Sequence, residues 1–324
     1  MRELIFLQKN EKSWTELEEF LKGDGPKDPD KLSSLYIKLN DDLSYARTFY
    51  PESNIIDYLN GLSIQLHKEI YKNKKISKNR FMEFFKFDFP ESMYHLRWYN
   101  FITLIAFLLS IGIGWLSASI DTNFTRLMMG DAYVETTLEN IANGKAMNIY
   151  GQTVEGVMFF QIAANNLYVL ILYFLLGLIF GLGSIAMLFR FGIMIGSFFQ
   201  FMYAEGVFAE TMVALWMHGV IEITCAIVAS AAGAKWGMSY IFPGTYTRSE
   251  SFNIASKQTF KVLLGLLPLI VIAAFIESYI TRHYTFNIPL SILIIVSTFM
   301  FVLFYIVYYP YKLIISKEEY ESKS

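Results

Sequence analysis

The amino-acid sequence predicts an all-α fold, a polytopic membrane helix bundle of about six spans, one of them short or broken, behind a small N-terminal cytoplasmic helical domain. The 324 residues are 54% hydrophobic and only 17% charged, too apolar for an ordinary soluble domain and unlike a disordered chain. After Trp98 the apolar residues form long runs, as helices crossing a hydrocarbon core of about 30 Å require. Before Trp98 charges are dense, and the apolar residues recur at helical spacing. A net charge of -2 argues against a nucleic-acid partner, which calls for an excess of Lys and Arg. The single cysteine, Cys225, allows no internal disulfide and no cysteine-rich metal or iron–sulfur site.

Residues 1–97 contain no uncharged apolar run near the roughly 20 residues of a spanning helix and are read as the cytoplasmic domain. The opening MRELIFLQKNEK has too short an apolar stretch for a signal-peptide core, so no cleavage is expected. Ser13 and Glu16 have capping-box spacing, which predicts a helix starting there and ending at Gly23, with GDGPKDPD as a turn. Leu32, Leu35, Tyr36, Leu39 and Leu43 line one face of a second helix that Pro51 stops. Ile55, Tyr58, Leu59, Leu62, Leu66 and Ile70 do the same for a third. His67, beside Lys68, reads as a solvated surface residue. The basic stretch 68–80 precedes Phe81, Phe84, Phe85 and Phe87. This is either an interfacial elbow over 81–97 or an ordinary positive flank.

A transmembrane domain over 98–311 follows, then a cytoplasmic tail, 312–324. Spans are read at 99–120, 158–189, 191–204, 211–241, 262–280 and 288–309. The third is the short one, about 21 Å at 1.5 Å per residue, and the second is too long to lie wholly within hydrocarbon. When all of them cross, Arg190, Lys235, Arg248, Lys257, Lys261, Lys312 and Lys317 share a side with the N-terminal domain. The acidic connection 121–157 falls on the other side, as the positive-inside bias requires, and both termini are expected in the cytoplasm.

The polar residues within the spans carry the functional signal, because ionisable groups at membrane depth persist only when paired or facing a cavity. His218 and Glu222 stand four residues apart, on one helix face. Ala226, Ser230 or Ala229, Gly233 and Gly237 continue that face with small residues that admit a close helix neighbour. The pair should therefore point into protein. Gln161, Asn165 and Asn166 enter at the outer end of the second span, and Glu277 lies near the outer end of the fifth. A buried polar cluster of His218, Glu222 and Glu277 with Asn165 or Asn166 is predicted.

Such a cluster has three readings: a contact that sets helix register, a proton or ion relay, or a catalytic metal. The metal fits least, because HGVIE lacks the second histidine of HExxH and needs a third ligand from Glu277 or His283. No catalytic set, metal or cofactor is assigned, and no enzyme activity is expected. Gly177/Gly181 and Gly192/Gly196 have GxxxG spacing, for packing within the chain or along a homodimer seam. Arg190 is read as snorkelling to the cytoplasmic headgroups. The outer connection has a helical stretch near 133–142, whose Tyr133, Glu135 and Glu139 meet an envelope partner or lie solvated over the bundle.

GDAYVETTLENI in the outer connection, the Asn165–Asn166 pair leading a glycine-rich span, and HGVIE followed by ASAAGAKWG and FPGTYTR resemble the stage II sporulation protein M family of bacterial and archaeal integral membrane proteins. The resemblance covers most of 80–285, and His218 and Glu222 match its HGxxE positions. It implies an accessory or scaffold protein of the cell envelope in the bacterial cytoplasmic membrane, since the name-giving member works in a membrane complex with peptidoglycan-degrading partners. The leading expectation is a non-enzymatic scaffold in the lipid bilayer, binding cell-wall or membrane protein partners through its cytoplasmic domain and outer loop. The alternative is a small-solute or ion transporter using the His/Glu cluster. A wet cavity reaching His218, as opposed to side chains locked in dry packing, is the observation that narrows the choice most.

Overall fold

The computed structural model describes residues 3–22, 29–72, 80–144, 154–281 and 288–321, and no strand occurs among them. The chain divides into two compact units, Met1–Arg80 and Phe81–Ser324.

The first unit holds α1 (Glu3–Lys22), α2 (Pro29–Phe49) and α3 (Ile55–Lys72). Phe6, Trp14 and Leu17 of α1 join Leu32, Leu39, Leu43 and Ala46 of α2 and Leu59, Leu62 and Leu66 of α3 in one core. Trp14 keeps its indole N–H satisfied by donating to Asp42 at 2.9 Å. The capping box expected at Ser13 does not start a helix, because α1 runs straight through it. Phe6 lies two turns before Trp14 on the same buried face, so packing extends the helix back to Glu3. The expected stripes of α2 and α3 pack inward at their leucines, while Tyr58 is more exposed and hydrogen-bonds Glu18 at 2.9 Å. His67 is exposed. Ile70's side chain, the GDGP segment and most of the basic stretch lie outside the described residues.

The second unit begins with α4 (Arg80–Glu83), a π turn over Phe84–Asp88 and α5 (Phe89–His95). The stretch from Phe81, expected as an interfacial elbow over 81–97, packs with the second unit. The reason is specific contact. Phe89 is fully buried, its ring stacks on Tyr305 at 5.7 Å, and it fits over Gly265, where a side-chain carbon would collide with it. Tyr305 and Tyr309 donate to the carbonyls of Phe85 and Lys86, and Lys261 pairs with Asp88 at 2.5 Å. Of the phenylalanines expected at the headgroups, Phe81 is 73% and Phe87 40% exposed.

Then come α6 (Arg97–Ile120), α7 (Asn123–Met129), α8 (Asp131–Ala142), α9 (Glu155–Leu175), α10 (Leu182–Ala204), α11 (Phe208–Ile241), α12 (Arg248–Phe275), α13 (Ile288–Val302) and α14 (Tyr309–Glu321). Among the described residues, six helical segments are long and apolar enough to cross a membrane: Arg97–Ile120, Glu155–Leu178, Leu182–Ala204, Phe208–Ile241, Arg248–Ile280 and Ile288–Glu319. The third is not short or broken. It has 23 residues, and Arg190 lies inside it on an exposed face, not between two spans. The true break comes earlier, where Phe180 and Gly181 take positive φ values of 52° and 78° and end the α9 segment. A charge within an apolar run had been read as a boundary, whereas the left-handed turn at glycine makes it.

The bundle is organised around α11, on which α6, α9, α10, α12 and α13 all pack. Between the first two spans, α7 and α8 form a short hairpin with Val134 and Thr137 buried beneath it. Burial there pushes the Tyr133 phenol above its ordinary pKa. Arg126 reaches across from α7 to Glu135 at 2.7 Å, so Glu135 has a partner within the chain.

A buried polar cluster between the fourth and fifth spans

The small-residue face of α11 brings neighbouring backbones into contact. A side-chain carbon at Gly233 would sit 2.5 Å from the Phe174 carbonyl oxygen, and one at Gly237 only 1.8 Å from that of Gly177. One at Gly181 would meet Ala234. Ala226 and Ser230 are buried along the same face. The second glycine pair faces the first span instead: carbons at Gly192 and Gly196 would strike Ser110 and the Ile111 carbonyl. All four GxxxG glycines thus meet helices of the same chain, where dispersion at short range holds apolar helices together in lipid.

This close packing sets the position of the polar end of α11. His218 is 5% exposed, and its Nδ1 lies 3.1 Å from the Thr281 hydroxyl. Its Nε2 faces Glu277 at 3.9 Å, longer than a hydrogen bond. One turn on, Glu222 accepts a 2.5 Å hydrogen bond from the Asn166 side-chain amide of α9. One ligand atom each from His218, Glu222 and Glu277 all lie within 4.8 Å of one another. Three helices therefore contribute: α11 the imidazole and a carboxylate, α9 the amide, and the end of the fifth span the second carboxylate.

Glu277 sits in a π turn, Ile276–Ile280, that continues α12. Such a turn rotates the residues after it relative to the helix before it. Glu277 and Thr281 are four residues apart and both approach the His218 ring. Thr281 is the residue that sequence reasoning missed, although its spacing from Glu277 could have found it. His283 lies outside the described residues.

A cavity of about 310 Å³ reaches Glu222, while neither His218, which is buried, nor Glu277 lines it. Asn165 and Asn166 line it beside Glu222, with Tyr173, Phe191 and Ile270 among its apolar walls. Asn166 is brought to the carboxylate, but Asn165, expected in the buried cluster, is exposed at the edge of the cavity because successive helical residues point about 100° apart, and Gln161 is exposed as well.

Six apolar helical segments among the described residues, with a buried histidine beside two partly buried carboxyl groups, define a polytopic α-helical membrane protein. The family of Stage II sporulation protein M matches residues 103–282, and the chain belongs to it. A domain of unknown function, DUF8413, matches residues 5–72, the helical unit at the N-terminus. No curated protein and no solved structure matches the chain.

Proposed function

We propose that this protein is a non-enzymatic membrane protein that binds a small cation within the bilayer and passes it across, using His218, Glu222 and Glu277. The observation that carries the reading is the cavity at Glu222, which gives a partly buried carboxylate a route for exchange. A contact that only set helix register needs no such space. Residence in the bacterial cytoplasmic membrane with both termini inside is part of the proposal, supported by Arg248, Lys257 and Lys261 after the fourth span and by Lys312 and Lys317 at the end of the sixth. In proteoliposomes, a proton or metal-ion gradient is expected to drive flux that Glu222→Gln abolishes. Equal flux from the variant removes the reading.

A scaffold role is the second reading, favoured by the α7–α8 hairpin, which buries Val134 and Thr137 but leaves Glu135 and Glu139 exposed. Crosslinking in intact membranes followed by mild extraction is expected to recover a cell-wall or membrane protein bound to that hairpin. Recovery of the chain alone under several crosslinkers counts against it.

A further inference from the structure

We propose that the cluster is a site for a divalent first-row transition-metal ion, held by Nε2 of His218 and one carboxylate oxygen from each of Glu222 and Glu277. This rests on the reading of the cluster as a cation site and names the cation.

The distances suit it. An ion with ligands about 2.1 Å away in tetrahedral array separates them by about 3.4 Å. The His218 Nε2 to Glu277 oxygen distance is 3.9 Å, and all three ligand atoms fall within 4.8 Å, so small side-chain movements close the site. Charge suits it as well. The carboxyl groups of Glu222 and Glu277 lie within 4.8 Å of each other inside an apolar bundle, and once both are ionised a single divalent ion balances them. A monovalent ion leaves a net negative charge at membrane depth, where charge is costly.

The surrounding hydrogen bonds orient the ligands. With its proton on Nδ1, His218 donates to Thr281 and presents the Nε2 lone pair to the ion. Asn166 donates to one oxygen of Glu222, fixing the carboxylate plane. Imidazole with carboxylates suits Zn²⁺, Mn²⁺, Fe²⁺ or Co²⁺, whereas Ca²⁺ takes six to eight oxygen ligands. Three protein ligands leave a coordination position open for water, and the cavity reaches one of the three, Glu222.

The test is a titration of the metal-free, full-length protein in lipid nanodiscs with CoCl₂, reading the visible d–d absorption. One saturating equivalent is expected, displaced by Zn²⁺ and lost in Glu277→Gln. Thr281→Val, which keeps shape but removes the hydroxyl, is expected to weaken binding about 10- to 100-fold. The wild-type titration decides the matter even where a variant fails to fold: no saturable binding of Co²⁺ or Zn²⁺ overturns the metal site. If Glu222→Gln still abolishes flux in that case, the pathway stands as one for protons. If metal binds but flux ignores Glu222, the site is structural and the transport reading falls alone.

Discussion

The fourth and last spans are both helices of bilayer length, yet 67% of the apolar window in Phe208–Ile241 is buried and only 11% of that in Ile288–Glu319. The more hydrophobic of the two is the peripheral one. In water that order would be reversed, because apolar surface is driven inward. In lipid, bulky side chains such as Leu293, Val296 and Phe299 lose nothing by facing acyl chains, and all three are exposed. Alanines, glycines and serines instead let α11 approach its neighbours, and its histidine and glutamate find partners only inside. Small size and polarity, more than hydrophobicity, mark the interior helix.

Substitutions on the two spans should break this contrast or sharpen it. The largest effect is expected at Gly237→Leu, since backbone atoms of Gly177 and Gly181 lie where its side chain would go and cannot step aside. A loss of about 3 kcal/mol or more is expected, read as a lower unfolding temperature and loss of monodisperse protein in detergent. A variant as stable as the parent would mean that α9 and α11 do not touch there. Asn166→Ala comes next, because it strips the amide donor from a carboxylate inside the bundle. Its expected cost is about 1–3 kcal/mol by the same measurement.

On the last span the effects shrink. Lys317 pairs with Glu91 at 3.1 Å, but both side chains are more than a third exposed. Lys317→Gln should cost less than about 1 kcal/mol, and the difference should fade as salt is raised. Smallest of all is Leu293→Ala on the lipid-facing side, expected within about 0.5 kcal/mol of the parent. A large loss there would reveal a hidden neighbour for that helix and strengthen the scaffold reading.

The residues that were legible in the sequence obey local rules. His218 and Glu222 share a helix face because they are one turn apart, and counting depth along each span brought Glu277 and Asn166 to the same level. Local rules also misled. The spacing of Ser13 and Glu16 mimics a cap in the middle of α1, and Arg190 interrupts an apolar run without interrupting its helix. Phe89 gave no periodic signal at all, since its burial depends on Gly265, far along the chain.

The sequence by itself determined which segments are apolar enough to cross and which face of α11 turns away from lipid, because both follow from transfer free energies and a fixed helical period. Only the tertiary structure decided that α11 stands at the centre, that Thr281 completes the approach to His218, and that a cavity opens beside Glu222. Those outcomes depend on how the shapes of distant helices fit one another, a property that no residue carries alone.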